Sequence, residues 1–172
     1  MNYHGCMAVA DLISVAEYLS TDYSPDCDFI DGILEDRHAG EKDHSKLLMA
    51  LSAWFYARRK ELGIQVFPER RVQISGSRFR VPDICVTIGE PDEQVFTTPP
   101  FLCVEILSPD DKLPRVLIKI ADYLELGVPF VWLIDPRKRT ATVYTATAAI
   151  PLDDGVLRTA NPEFAVRLID LF

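Results

Sequence analysis

Phe101-Leu102-Cys103-Val104-Glu105-Ile106-Leu107 is an apolar, strand-forming run with one carboxylate in it. Its length and composition read as a buried β-strand. Burying an ionised group costs several kcal/mol unless it is paired or bound to a metal, so Glu105 needs a partner. Side chains alternate along a strand, which puts Glu105 on the face of Phe101, Cys103 and Leu107, and the partner must reach that face from a neighbouring element. Val81-Pro82-Asp83-Ile84-Cys85-Val86 carries the same anomaly: Asp83 stands at the start of a second apolar strand, expected over Val81 to Ile88.

If these two strands pair, the carboxylates meet. Two adjacent carboxylates repel and raise one another's pKa unless a hard cation such as Mg²⁺ collects their oxygens, so a metal site is the economical reading. Two simpler readings stand beside it. Asp83 can be a strand-entry turn residue after a proline, and Glu105 can be salt-bridged to an arginine such as Arg80. Lys112, Arg115 and Lys119 form a basic stripe at i, i+3 and i+7 on the helix that follows the Glu105 strand through Ser108-Pro109-Asp110-Asp111. Its edge is expected to lean over the carboxylates, where a lysine stabilises negative charge developing on a phosphate.

Outward from this centre the elements follow from periodicity. Leu12, Val15, Ala16 and Leu19 predict a short helix. Cys27 to Glu35 predicts a hairpin around the turn pair Asp31-Gly32. Leu47, Leu48, Leu51, Trp54, Phe55 and Leu62 predict an amphipathic helix over about 42–62, closed by Gly63. Gln65 to Phe67 with Arg71 to Ser75 are strand candidates. A second long helix, over about 113–126, buries Val116, Leu117, Ile120, Tyr123 and Leu124 and ends at Gly127. Phe130 to Ile134 and Thr140 to Thr145 make a strand pair around Asp135-Pro136. This order predicts an α/β fold, a mixed sheet with helices packed on it.

The 172 residues, 48% hydrophobic, suffice for a single domain spanning the chain, with no repeat or linker to divide it. The N-terminus lacks a basic start and no long apolar run is present, which predicts a soluble, cytoplasmic protein without membrane contact. Cys6, Cys27, Cys85 and Cys103 have neither C-x-x-C nor zinc-site spacing, and Cys85 and Cys103 read as core residues. A net charge of −8 argues against bulk electrostatic binding of nucleic acid. The charge is uneven, however: residues 58 to 80 sum to +5 and the remainder to −13. Arg70, Arg71 and Arg80 in that segment, with Lys112, are candidates to face a phosphate backbone, against the plain alternative of a solvated face.

No Gly-rich phosphate loop, G-x-S-x-G elbow or H-E-x-x-H motif occurs, which removes support for nucleotide-triphosphatase, serine hydrolase and zinc protease readings. His38 and His44 flank the start of the first long helix and read more readily as capping or surface groups. The stretches Val15-Ala16-Glu17-Tyr18-Leu19, Phe29 to Glu35, His44, Arg80 to Ile84, Val104 to Pro109, Lys119 to Tyr123 and Gly127 to Pro136 resemble, in order and spacing, the Uma-type family of candidate restriction endonucleases, a branch of the PD-(D/E)xK nuclease superfamily. The resemblance implies a restriction-endonuclease-like core with flanking helices and an N-terminal hairpin. It makes Pro82-Asp83 the P-D of the signature and Glu105 its second acid. Two residues on, where the superfamily has lysine, stands Leu107; Lys119 occupies the position of the lysine that the Uma-type pattern carries in the following helix. Glu35 or His44 would supply a further acid or orienting group.

The expected function is hydrolysis of DNA phosphodiester bonds by an endonuclease that binds Mg²⁺ or Mn²⁺ through Asp83 and Glu105, assisted by Lys119 and Glu35. A homodimer is expected, because two sites related by a two-fold axis cut both strands of a duplex. The alternative is a catalytically silent module, binding nucleic acid or protein, on the same fold; the net charge and Leu107 favour it, and the retained acids favour the enzyme.

Overall fold

In the computed structural model, which describes residues 12–37 and 41–172, the described residues form two larger sheets, between which the chain passes at Asp83, and a two-stranded hairpin. After α1 (Val15–Ser20), capped by the Ser14 hydroxyl, comes a hairpin of β1 (Asp28–Ile30) and β2 (Ile33–Glu35). Its turn residues Asp31 and Gly32 have φ of 49° and 91°, the double left-handed turn that an Asp-Gly pair favours. Helix α2 spans Lys42–Leu62 and ends on Gly63 in the left-handed conformation. Next come β3 (Ile64–Pro68), β4 (Val72–Ser75), β5 (Arg78–Arg80), β6 (Ile84–Ile88) and β7 (Leu102–Ile106). Helix α3 (Leu113–Leu126), β8 (Phe130–Asp135), β9 (Thr140–Tyr144) and β10 (Ala149–Pro151) follow, then a final hairpin of β11 (Val156–Arg158) and β12 (Ala165–Arg167) and a last turn, Leu168–Leu171.

One sheet has the order β2-β1-β5-β4, the other β10-β9-β8-β7-β6-β3, with β7 and β8 parallel and the remaining pairs antiparallel. The strand expected over Val81 to Ile88 begins only at Ile84. Pro82 has no N–H to give to a ladder, so the chain leaves the first sheet after Arg80 and enters the second at Ile84. The two candidates Gln65 to Phe67 and Arg71 to Ser75 are likewise divided, β3 in one sheet and β4 in the other.

Alternation along β7 separates two cores. Leu102, Val104 and Ile106 face α2, packing with Leu47, Leu51, Phe55 and Trp132. Cys103 faces α3 with Cys85, Ile120, Tyr123 and Val131, as the small core residue expected. Phe101 departs from the expected pattern: it precedes the strand and joins the α2 side, its ring 5.8 Å from that of Phe164. On α3, Leu117 is 40% exposed whereas Lys119 is buried, so of the basic stripe Lys119 alone turns inward, while Lys112 and Arg115 stay exposed. The segment after Thr145, to which periodicity assigned nothing, supplies Leu157, Phe164 and Val166 to the α2-side core. Among the described residues no helix is long and apolar enough to cross a membrane.

Candidate active site

The β6–β7 register pairs Ile84 with Val104, and continuing it by one residue sets Asp83 opposite Glu105. The two acids are thus cross-strand neighbours at the end of the ladder. Asp83 Oδ2 accepts the Ile106 backbone N–H at 2.7 Å, which ties the first acid to the residue beside the second. Asp83 Oδ1 accepts from Arg37 Nη2 at 2.7 Å, with His44 Nε2 at 3.4 Å. Glu105 is met from α3: Lys119 Nζ lies 3.0 Å from its carboxylate and the Tyr123 hydroxyl donates to Oε1 at 2.7 Å. Lysine and tyrosine four residues apart share one helix face, so α3 grips Glu105 with both. Lys119 also donates to the Val81 carbonyl at 2.8 Å. Asp83, Glu105, Arg37, His44 and Lys119 line a cleft of about 430 Å³, with Asp36, Asp110, Asp111, Lys112 and Arg115 at its wall.

Behind the cleft lies a second set of charges. Arg80 is 3% exposed and donates to Asp28 (3.0 Å), Glu35 (2.9 Å) and Asp122 (2.7 Å). The alternative of an Arg80–Glu105 bridge is not what forms: the cation paired with Glu105 is Lys119. Arg80 borders the cleft but its guanidinium is engaged by carboxylates, which removes it from the phosphate-facing set. Arg71 leaves that set too: it grips both oxygens of Asp26 at 2.8 Å, donates to the Tyr18 and Thr21 carbonyls and lies over the Tyr18 ring. Arg70 bonds Gln94 at the surface, whereas Lys112 stands at the cleft. Glu35 is shared between Arg80 and Arg115, at 2.9 and 3.5 Å, and is not among the residues that line the cleft. His38 and Cys6 lie outside the described residues.

Arg37 and Asp28 carry no sequence signal that separates them from ordinary charged residues, and Asp122 is marked only by lying in the stretch Lys119 to Tyr123. Tyr123 reads in the sequence as a core residue, which it is, with its hydroxyl spent on Glu105.

The charges set the protonation states. Burial, reinforced by Asp83 and only partly offset by Lys119, pushes Glu105 up to about 7. Burial acts the same way on Asp83, but the His44 hydrogen bond and the Arg37 charge outweigh it and hold the carboxyl at about 2. Burial works against the charge on Lys119, yet Asp28 and Glu105 raise its pKa above the ordinary lysine value, so it stays a cation. His44 is likewise raised, its hydrogen bond to Asp83 overcoming desolvation.

Among the described residues no cluster of three or more His, Cys, Asp and Glu is placed to hold a metal ion. The donor set is two hard carboxylates. That fits Mg²⁺, which keeps several waters and is commonly held by one or two carboxylates, and does not fit the four-ligand nitrogen and sulfur sites of structural zinc.

A family model described as "putative restriction endonuclease", Uma2, matches residues 15–164. The chain belongs to the Uma2 family. The mixed sheets and flanking helices of this chain make a restriction-endonuclease-like fold, and a crystal structure from Anabaena variabilis, described as a "putative nuclease", matches at a TM-score of 0.79 with 27% identity, covering 93% of this chain and 97% of that one. A comparison with curated proteins found no match. The Uma2 match contains every residue of the cleft, from Asp28 to Lys119.

Proposed function

We propose that this Uma2-family chain is a divalent-metal-dependent nuclease that hydrolyses DNA phosphodiester bonds. The observation that carries the reading is the meeting of Asp83, Glu105 and Lys119 at one cleft from three separate elements. Leu107 stands where the superfamily has its lysine, and Lys119 brings a cationic nitrogen to the same carboxylate from α3.

Asp83 and Glu105 would hold Mg²⁺ or Mn²⁺, which when bound polarises the scissile phosphate and lowers the pKa of a water. Lys119 remains protonated, so it acts as a positioned cation that steadies charge building on the phosphate oxygens. Its bond to the Val81 carbonyl fixes the nitrogen without neutralising it. Tyr123 holds the Glu105 carboxylate in its orientation, and the Ile106 N–H does the same for Asp83. Lys112 and Arg115 meet the nucleic acid at the cleft wall. The chain works as one domain, and as a homodimer whose two clefts address the two strands of a duplex; the mass in solution, with and without DNA, checks the latter.

The test is cleavage of plasmid and oligonucleotide substrates with Mg²⁺, Mn²⁺ or EDTA, comparing wild type with Glu105→Ala. Cleavage that requires the metal and disappears in the variant supports the reading. A wild type that never cuts moves the chain to the second reading, a silent module binding nucleic acid or protein, which Leu107 at the position of the superfamily's lysine favours; the net charge of −8 and the internal engagement of Arg71 and Arg80 then point to a protein partner.

A further inference from the structure

The two oxygens of Asp83 are not equivalent. Oδ2 is tied to the Ile106 backbone N–H at 2.7 Å, which no cation can displace without breaking the strand end. Oδ1 is the oxygen more open to a ligand; Arg37 Nη2 is on it at 2.7 Å and His44 Nε2 at 3.4 Å, so Arg37 is its nearer, permanently charged partner. The Arg37 side chain is 12% exposed, lines the cleft, and donates through its other amine, Nη1, to Glu69 Oε1 at 3.2 Å. Glu69 is itself fixed to the same acid, its backbone N–H bonding the Asp83 carbonyl at 3.0 Å. A guanidinium and a divalent cation on one carboxylate oxygen repel each other, so the presence of one weakens the hold of the other.

We infer that Arg37 is an exchange residue: it neutralises Asp83 while the site holds no cation, and when Mg²⁺ or Mn²⁺ takes Oδ1 it becomes a ligand of the substrate phosphate. The inference rests on the metal-dependent reading above. Glu69 retains one amine of the fork at the cleft, so the released guanidinium stays beside the acids. Its planar pair of N–H donors matches two phosphate oxygens, a geometry a lysine does not offer. The arrangement also gives the apo site a counter-cation, so that Asp83 is never an unpaired buried charge.

The two roles move in opposite directions on substitution, which a purely structural arginine would not do. With MnCl₂ titrated by calorimetry in the absence of nucleic acid, Arg37→Ala should bind Mn²⁺ roughly ten- to a hundredfold more tightly than wild type, the factor set by losing one charged hydrogen bond as competitor. At saturating Mn²⁺ the same variant should cleave a duplex oligonucleotide more slowly. Arg37→Gln, which can still donate to Asp83 without a charge, carries the same expectation and covers the case in which the alanine variant does not fold. If wild type takes up Mn²⁺ and neither variant takes it up more tightly, the exchange is overturned while the metal site stands. If the variants bind Mn²⁺ more tightly yet cleave at the wild-type rate, the phosphate role is overturned. If wild type takes up no Mn²⁺, the metal reading falls and the exchange with it.

Discussion

Asp83 and Ile106 are joined by a 2.7 Å bond from a strand N–H to a carboxylate oxygen across the junction of two sheets. Pro82 cannot donate at this point, so the ladder ends and the Asp83 side chain takes the place of a backbone acceptor. The acid is thus part of the fold as well as of the site. Asp83→Ala would leave a buried N–H without an acceptor and Arg37 with only the more exposed Glu69 as its ion-pair partner, and should destabilise the protein by roughly 3 kcal/mol. Asp83→Asn, which can still accept from Ile106, should cost less. Urea denaturation in EDTA separates the two; equal losses would mean that the strand-end bond contributes nothing.

Glu105 gives a pH dependence of definite sign. Its folded pKa of about 7 exceeds the ordinary 4.5, so the metal-free fold binds the proton more tightly than the unfolded chain. The associated stability is fully present below about 4.5 and is lost as pH rises through about 7, up to about 3 kcal/mol in all. The difference between wild type and Glu105→Gln in EDTA should therefore shift against wild type from pH 5 to pH 8. Asp83, held at about 2, titrates below this window, and His44 titrates in both proteins and cancels. A difference that is flat over this range would contradict the buried, proton-holding Glu105.

Metal binding should raise the melting temperature by mass action, with about 2.7 kcal/mol gained at a free concentration a hundred times the dissociation constant. Mn²⁺ at millimolar levels should shift wild type and leave Asp83→Asn/Glu105→Gln unmoved. A wild-type melting curve indifferent to Mn²⁺ would remove the metal from the site.

The acids were legible in the sequence because each breaks a local pattern, a carboxylate in an apolar strand, and helices α2 and α3 were legible because their stripes and glycine caps agree. Lys119 was legible only as a stripe; that it is buried on Glu105 follows from how α3 packs, which sequence periodicity does not fix. Arg71 and Arg80 show the converse failure. Counting charge over residues 58 to 80 correctly finds a basic segment but cannot tell that Asp26, Asp28, Glu35 and Asp122, from distant parts of the chain, already pair with three of its arginines, Arg71, Arg78 and Arg80. Arg37 was invisible for the same reason, since its partner is 46 residues away.

Those pairings redirect the search for the nucleic-acid surface from the basic segment to the cleft wall. Arg71→Gln removes a guanidinium held by Asp26 and two carbonyls, so it should lower stability and leave the salt dependence of DNA binding unchanged. Lys112 and Arg115 are exposed at the cleft wall, where an incoming backbone would meet them. Lys112→Gln and Arg115→Gln together should weaken duplex binding and reduce the slope of log affinity against log salt by roughly 0.9 for each phosphate that is no longer neutralised. The acidic Asp36, Asp110 and Asp111 stand among them, so the surface is mixed and the wild-type slope should be shallow. Binding measured by fluorescence anisotropy from low to moderate salt decides between the two sets. If the Arg71 variant flattens the slope and the Lys112/Arg115 variant does not, the nucleic acid lies on the β4 side of the molecule and not at the cleft.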